Sequence, residues 1–281
     1  VEIKSKIQIN PSRVGMKYYI KTFGCQMNEH DSERISGMFE LDGMSKAMSE
    51  EYADVLFVNT CTIRENADDK LYGTLGQLKQ WKSQKDNRKL LVGGCAAQKD
   101  KELVREKAPW VDVVIGTHNL TNVVDLLNRS EDWGPLTEII DEIETLPTEA
   151  PSIRESEYSA WVTIQIGCNN SCTFCIVPSV RGQEISRRPS DIVNEAKKLV
   201  DEGVKEITLL GQNVNSYGRD LKIEGKARPY FSQLLEQLND IKGLERIRFT
   251  SPHPKDFKAE TIESVKKLKN VCNQVHVPLQ S

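Results

Sequence analysis

Short apolar runs alternate with longer amphipathic stretches through the first half of the chain. The runs predict four strands, at residues 17–23, 54–59, 89–92 and 111–116. Helical spacing between them predicts helices over about 28–41 and 64–83, the first with Asp31-Ser32-Glu33 as its amino-terminal cap. Strands alternating with helices indicate parallel β-α-β units. We therefore predict an α/β protein whose amino-terminal domain is a doubly wound parallel sheet.

The second half of the chain starts the same alternation again. Four strands are predicted, at residues 160–166, 206–210, 246–249 and 274–277. Helices are predicted after Pro189-Ser190-Asp191, with Ser190 as the cap, and over about 230–241 and 259–269. These elements are too few for a closed barrel, so the sequence predicts a partial (β/α) barrel. We expect the sequence to be a fragment of a longer protein.

The pattern divides the chain into four segments. Residues 1–15 precede the first domain and are interpreted as an amino-terminal extension. The first domain is predicted over 16–130, and the second over 158–281. The acidic stretch 131–157 between them contains Pro147 and Pro151 and is interpreted as a linker.

Composition and charge are those of a globular protein without a strong electrostatic bias. Hydrophobic residues make up 38% and charged residues 28%, with a net charge of −3 and a pI of about 5.9. A nucleic-acid partner would therefore need a local basic surface. No apolar run approaches the ~18 residues of a membrane span, and the first residues lack the apolar core of a signal peptide. We expect a cytoplasmic protein without membrane contact.

Seven cysteines in such a chain favour metal ligation over disulfides. Cys168, Cys172 and Cys175 lie within eight residues, directly after a predicted strand. Three thiolates around a four-iron cluster leave one iron open, and that iron can bind the amino and carboxylate groups of S-adenosylmethionine. The alternatives are a zinc site, which needs a fourth ligand from a distant histidine, and a ferredoxin-like carrier.

A second set of cysteines has a regular spacing. Cys25, Cys61 and Cys95 are 36 and 34 residues apart, and each follows a predicted strand. Because the carboxyl ends of parallel strands lie on one edge of a sheet, the three can converge on a second metal or cluster site. The alternative is three unrelated buried thiols. Cys272 has no partner in either set and is interpreted as a core residue, and the histidines are assigned no role.

These motifs resemble a known family. Cys168 to Cys175 resembles the cysteine motif of the radical S-adenosylmethionine superfamily. The flanking residues, 173–178 and 181–187, resemble the methylthiotransferases. Residues 22–28, 59–67 and 93–95 resemble the amino-terminal domain of that family. The variants Gln26-Met27-Asn28 and Ile63-Arg64-Glu65-Asn66 are most similar to the branch that acts on transfer RNA, the 2-methylthio-N6-isopentenyladenosine synthases.

The resemblance implies a radical reaction with two [4Fe–4S] clusters. Cys168, Cys172 and Cys175 would bind the radical cluster, and Cys25, Cys61 and Cys95 an auxiliary cluster that carries the inserted sulfur. Two S-adenosylmethionine molecules would be used per turnover, and a methylthio group would be placed on carbon 2 of N6-isopentenyladenosine beside the tRNA anticodon. The implied partners are the tRNA anticodon stem-loop and an electron donor such as flavodoxin or ferredoxin, and we expect a monomer.

Further residues are assigned by analogy with the superfamily. Contacts to S-adenosylmethionine are expected from Phe174 and from the loop after the second strand of the barrel, Gly211, Gln212 and Asn213. A loop glycine with polar neighbours is the alternative interpretation of that loop. Arg181, Arg187 and Arg188 could meet substrate phosphates or the cofactor carboxylate, or form a solvated loop face. No catalytic side chain is assigned beyond the cluster ligands.

Three other functions stay open at this stage. Sister branches of the family methylthiolate an aspartate of a ribosomal protein or threonylcarbamoyl-adenosine in tRNA, and they share both cysteine sets. A non-enzymatic cluster carrier or a zinc-dependent RNA-binding module is the alternative from another class. The family also completes its barrel and adds a small RNA-gripping β-domain, and neither follows Ser281. We therefore expect weak RNA binding and turnover from this span alone.

Overall fold

The computed structural model describes residues 10–62, 67–143, 151–223 and 226–277, and these residues form two compact units. The first unit contains residues 10–62, 67–143, 151–153 and 173–181. The second contains residues 154–172, 182–223 and 226–277. The short segment 173–181 thus folds with the first unit, although it follows the start of the second unit in the sequence.

A six-stranded parallel sheet forms the centre of the first unit. The elements of this unit before residue 143 are β1 Lys17–Thr22, α1 Gln26–Leu41, β2 Ser45–Lys46, β3 Val55–Thr60, α2 Ala67–Ser83, β4 Lys89–Gly94, α3 Cys95–Asp100, α4 Leu103–Lys107, β5 Val113–Ile115, α5 Val123–Trp133 and β6 Leu136–Glu138. The strands have the order β2-β1-β3-β4-β5-β6 in the sheet.

Both faces of this sheet are buried. All six residues of β3 are buried, and its side chains alternate between two cores. Leu56 and Val58 pack in one core with residues of α2 and α3, whereas Val55 and Phe57 pack in the other with residues of α1 and α5. The sequence of a strand that is covered on both faces is a nearly continuous apolar run. The structure thereby confirms the predicted doubly wound sheet.

The second unit is built on three parallel strands, in the order β13 (Arg246–Phe249), β10 (Glu206–Leu210) and β7 (Ser159–Thr163). Helices α7 (Pro189–Asp201) and α8 (Phe231–Asn239) contribute seven buried apolar side chains to the core on this sheet. This alternation confirms the predicted partial (β/α) arrangement. The remaining elements of the chain, of which α6 belongs to the first unit, are β7 Ser159–Thr163, β8 Gln165–Ile166, α6 Val177–Arg181, β9 Ile185–Ser186, α7 Pro189–Asp201, β10 Glu206–Leu210, β11 Lys222–Ile223, β12 Lys226–Ala227, α8 Phe231–Asn239, β13 Arg246–Phe249 and α9 Ala259–Lys267.

Two predicted helix caps are wrong. Helix α1 begins at Gln26 with Cys25 as its N-cap, so the predicted cap around Asp31 lies inside the helix. Helix α7 has Arg188 as its N-cap and Pro189 at its first position, which places Ser190 in the first turn. Proline at that position is favoured because its missing N–H has no partner in the helix. The predicted start of α2, residues 64–66, lies outside the described residues.

The ends of the first domain also differ from the prediction. Strand β6 lies within the stretch interpreted as a linker, and it pairs in parallel with β5 at the edge of the sheet. Arg13, in the stretch interpreted as an extension, is 1% exposed and forms ion pairs with Asp42 and Glu131. Residues 10–15 and 131–138 are therefore part of the first unit.

The last predicted strand does not form. Residues 274–277 have no regular secondary structure, and the chain instead makes a single bridge between Val271 and Ile247 of β13. Cys272 follows that bridge, donates its backbone N–H to Ile247 and is only partly buried, so its interpretation as a core residue is wrong. Within the described residues, no helix has the length and apolar character required to cross a membrane.

One glycine fixes the chain path directly before the three-cysteine loop. Gly167 has φ of +74°, and a Cβ atom there would lie 1.9 Å from the carbonyl oxygen of Gln183. Gly203 also has a positive φ, of +104°, but a Cβ there would meet nothing within 4 Å. The two positions share the unfavourable backbone conformation and differ in the available space.

Gly167→Ala should lower the free energy of unfolding by more than ~2 kcal/mol, since left-handed strain and a backbone clash add. Gly203→Ala is the matched control and should cost about 1 kcal/mol from strain alone. Urea denaturation of both variants measures the difference. Equal losses would show that the contact with Gln183 does not constrain the loop.

Candidate functional site

Three cysteines lie at the carboxyl edge of the first sheet. Cys25 follows β1 as the N-cap of α1, Cys61 directly follows β3, and Cys95 is the first residue of α3 after β4. Strands β1, β3 and β4 are neighbours, and their last residues pair in register, Thr22 with Asn59 and Thr60 with Gly94. Parallel pairing therefore brings the three cysteines to adjacent strand ends, where ligands bind in such sheets.

A tight backbone turn at Gly94 places Cys95 at this edge of the sheet. Gly94 has φ of +89°, and a Cβ atom there would lie 2.5 Å from both the Asn59 side-chain oxygen and the Thr60 carbonyl oxygen. Only glycine fits such a close approach of two strand ends. The turn places the Cys95 side chain, which is 1% exposed, beside the end of β3.

Buried amides hold the loops after β1 and β3 together. The Asn28 Nδ2 donates to Asn59 Oδ1 at 3.0 Å and to the Thr60 carbonyl at 2.8 Å. The Asn59 Nδ2 donates in return to the Asn28 carbonyl at 2.8 Å and to Ser32 Oγ at 2.9 Å. Cys25 Sγ is 3.5 Å from Asn28 Oδ1. Because both asparagines are fully buried, these bonds satisfy groups that water cannot reach.

The three thiols are close enough to influence one another electrostatically. Burial raises the pKa of the Cys95 thiol; the charge and hydrogen bond of Arg181 lower it in part, and Cys25 and Cys61 raise it further. The raised pKa favours the neutral thiol of Cys95. Arg181, which is 4% exposed, is the nearby cation that favours its thiolate.

Arg181 is held by a buried ion pair. It ends α6, and its Nη2 donates to Asp31 Oδ2 at 2.9 Å, with both side chains largely excluded from solvent. The ion pair with Asp31 is sufficient to explain why Arg181 is buried. The contacts predicted for Arg181, with a phosphate or with a cofactor carboxylate, are not required for it. Arg187 is also buried and donates to the Thr163 carbonyl at 2.9 Å, whereas Arg188 is exposed. A solvated loop face therefore describes only Arg188.

The second cysteine set follows β8. Cys168 is buried, Cys172 is partly buried and Cys175 is exposed. The Cys168 backbone N–H donates to the Gly182 carbonyl at 3.1 Å, which fixes the start of the loop. Cys168 and Cys172 belong to the second unit, and Cys175 belongs to the first. The neighbouring ring of Phe174 is 98% exposed.

His253 approaches this loop, although it is 81 residues away in the sequence. Its Nε2 lies 3.7 Å from Cys172 Sγ. His118 in the first unit is buried with no hydrogen-bond partner for either ring nitrogen among the described residues, and burial and Arg181 lower its pKa. The sequence assigned no role to either histidine, because no spacing relates them to the cysteines.

The predicted cofactor loop follows β10 and is largely buried. Asn213 is fully buried, donates from Nδ2 to Asp256 at 2.8 Å and accepts from Gln165 Nε2 at its backbone carbonyl at 2.8 Å. Within the described residues, several buried side-chain atoms of this region lack a hydrogen-bond partner: Gln165 Oε1, Gln212 Oε1, Asn213 Oδ1 and both polar atoms of the Asn215 amide. Unpaired buried acceptors of this kind suit a bound ligand that carries N–H groups.

Asp256 anchors the same region from a short 3-10 turn, Pro254–Asp256, that follows β13. It is 3% exposed and accepts from Asn213 and, at 2.7 Å, from Arg219 Nη2. Burial alone would raise the pKa of Asp256, but hydrogen bonds from Arg219 and Asn213 outweigh it and lower the pKa. Asp256 is therefore an ionised carboxylate near neutral pH and fixes the loop after β10.

Among the described residues, no three His, Cys, Asp or Glu side chains are arranged to bind one metal ion. Thiolates are the usual ligands of iron–sulfur clusters, in which each thiolate binds a different iron. The three cysteines that follow neighbouring strands of the first sheet are donors of that type.

Comparison with known proteins assigns the chain to a class. Residues 17–116 match the uncharacterized protein family UPF0004, and residues 162–281 match the radical SAM superfamily. The fold is similar to that of the radical S-adenosylmethionine methyltransferase TsrM from Kitasatospora setae, with a TM-score of 0.60 at 12% identity, covering 94% of this chain and 59% of that one. Residues 162–281 therefore form a radical SAM domain.

Closer relatives narrow the assignment. The chain is 53% identical over 268 residues to the tRNA-2-methylthio-N(6)-dimethylallyladenosine synthase of Corynebacterium efficiens, covering 94% of this chain and 51% of that protein. It is 52% identical to the enzyme of the same name from Nocardia farcinica, covering 94% and 53%. The chain is thus similar to these synthases over nearly its whole length, and it spans about half the length of the curated relatives it matches.

The Arg181–Asp31 pair gives a prediction for the stability of the first unit. Asp31→Ala leaves a buried guanidinium without its carboxylate and should lower the free energy of unfolding by about 3–5 kcal/mol. Glu50→Ala, which removes the partly exposed ion pair with Lys21, is the control and should cost less than ~1 kcal/mol. Urea denaturation compares the two. A loss of similar size in both would mean that the charge of Arg181 is compensated by other groups.

Proposed function

We propose that this chain forms the cluster-binding part of a radical methylthiotransferase acting on tRNA. The product would carry a methylthio group on carbon 2 of N6-isopentenyladenosine next to the anticodon. The observation that carries this proposal is the presence of two separate three-cysteine sets. One set follows three neighbouring strands of the first sheet, and the other follows β8. The support for the tRNA substrate is the name shared by relatives about half identical over nearly the whole chain.

The three cysteines after β8 are proposed to bind the radical cluster. Cys168, Cys172 and Cys175 would each ligate one iron of a [4Fe–4S] cluster and leave the fourth iron for S-adenosylmethionine. When bound, that cluster supplies the electron that cleaves the sulfonium and releases a 5′-deoxyadenosyl radical. A radical is needed because an aromatic C–H bond at carbon 2 is too strong for removal by a general base.

The loop after β10 is proposed to orient the cofactor. The unpaired acceptors of Gln212 and Asn213 are suited to receive the ammonium hydrogens of its methionine part, and Gly211 allows close approach of the ligand. The exposed ring of Phe174 would contact the cofactor beside Cys175. Asp256 and Arg219 hold Asn213 in place, so their role is positioning.

The cysteines of the first sheet are proposed to bind the auxiliary cluster that supplies the sulfur. Cys25, Cys61 and Cys95 would ligate it, again with one iron open. Arg181 would offset the negative charge of the three thiolates and Asp31 would hold Arg181 in position. Two S-adenosylmethionine molecules are consumed per turnover, one to methylate the sulfur and one to generate the radical.

The partners follow from this reaction. A tRNA anticodon stem-loop is the substrate, which implies a cytoplasmic protein, and a flavodoxin or ferredoxin would supply the electron. We expect the protein to work as a monomer. Because the net charge is −3, tRNA binding would need a local basic surface.

Iron and sulfide analysis of the anaerobically reconstituted protein tests the two cysteine sets. The wild type should hold about eight irons, and either triple alanine variant, of Cys25/Cys61/Cys95 or of Cys168/Cys172/Cys175, about four, because each set binds one four-iron cluster. Cys272→Ala is the control and should retain about eight. About four irons in the wild type would remove the auxiliary cluster and the sulfur-insertion proposal with it.

Product analysis separates the roles of the two sets. With dithionite, the Cys25/Cys61/Cys95 variant should still form 5′-deoxyadenosine but no methylthiolated product, since only the sulfur source is lost. The Cys168/Cys172/Cys175 variant should form neither. Substrates are an isopentenylated anticodon stem-loop, a threonylcarbamoylated one and the aspartate-containing ribosomal protein. Turnover of either of the last two, without the first, would reassign the chain to a sister branch.

A further inference from the structure

We infer that His253 is a positioning residue for the radical cluster, through an N–H hydrogen bond from its Nε2 to the sulfur of Cys172. The two atoms are 3.7 Å apart, within the range for a hydrogen bond to sulfur, and both residues belong to the second unit. The inference rests on the proposed function, because it assigns to His253 a role toward a cluster bound at Cys172.

The other ring nitrogen of His253 fixes its tautomer. The backbone N–H of Lys255 donates to His253 Nδ1 at 3.2 Å, so Nδ1 must carry a lone pair. A neutral imidazole has one protonated nitrogen, and its proton then resides on Nε2. The nitrogen that faces Cys172 is therefore the donor of the ring, and a ligated thiolate is the corresponding acceptor.

The backbone around His253 is held rigidly. His253 is the N-cap of a single 3-10 turn, Pro254–Asp256, and its carbonyl accepts from the Asp256 backbone N–H at 3.0 Å. The Asp256 carboxylate is in turn bound to Asn213 and Arg219. This turn thus connects the imidazole at Cys172 with the loop proposed to bind the cofactor.

A hydrogen bond to a cluster ligand has a known electronic effect. Donors to the sulfurs of an iron–sulfur cluster stabilise the reduced, more negative state and raise the reduction potential. Outer-shell donors also hold the ligand in its binding orientation. His253 would do both for Cys172, which is only partly buried and has less protein around it than Cys168.

Ligation by His253 itself is the competing role. It would complete a Cys₃His set of the kind that binds zinc, or close the open iron of a cluster. Metal content distinguishes the two, since loss of a ligand removes metal and loss of a donor does not.

The experiment compares His253 variants in the full chain that carries Cys25/Cys61/Cys95→Ala, so that one cluster is observed. His253→Gln keeps an N–H near the position of Nε2, whereas His253→Leu and the shorter, polar His253→Asn do not. His276→Leu, at an exposed histidine, is the matched control. Iron content and the midpoint potential, followed by electron paramagnetic resonance, are measured on each reconstituted protein.

We expect about four irons per chain in every variant. His253→Leu and His253→Asn should make the cluster about tenfold harder to reduce, a potential about 59 mV lower for a one-electron couple. His253→Gln and His276→Leu should stay close to the parent protein.

Two results would overturn the inference while leaving the proposed function intact. One is a potential unchanged in His253→Leu and His253→Asn, with iron retained. The other is loss of iron from all three His253 variants, which would make His253 a ligand. Absence of iron from the parent protein with His253 intact would instead contradict the proposed function, and the inference with it.

Discussion

Parallel pairing of neighbouring strands is the constraint on which the candidate sites depend. In a parallel sheet every strand ends on the same edge, and the residues that follow neighbouring strands become neighbours in space. Register does this for Cys25, Cys61 and Cys95 in the first unit, where Thr60 pairs with Gly94 at the last position of β3 and β4. In the second unit, the loop after β10 and the turn that carries His253 both follow the carboxyl ends of strands in that unit's own sheet.

The edge that carries the first cysteine set contains buried polar groups that need hydrogen-bond partners. Asn28 and Asn59 are fully excluded from solvent, and their amides bond to each other, to a serine hydroxyl and to backbone carbonyls. A lost partner there would leave a buried amide unsatisfied, which costs about 1–3 kcal/mol. The first site is thus rigid before any ligand binds, which is what precise ligation of a cluster requires.

Arg181 shows how charge is distributed in the first unit. It comes from the segment that follows Cys175, yet it lies beside Cys95 and is bound to Asp31. A buried guanidinium is stable only with a partner, and a group of thiolates is stable only near positive charge. Arg181 therefore interacts with the carboxylate of α1 and with the thiols after β1 and β4.

The sequence by itself determined the α/β class, most strands of both units, the two cysteine sets and the family resemblance. These depend on local features: apolar runs, helical periodicity and short cysteine spacings. The tertiary structure decided the rest. It turned Asp31 from a predicted cap into the partner of Arg181, 150 residues away, and brought His253 to Cys172 across 81 residues. It also added β6 to the sheet and removed the strand predicted at 274–277. Contacts between side chains so distant in the chain depend on how complete elements pack, and no local pattern of residues encodes them.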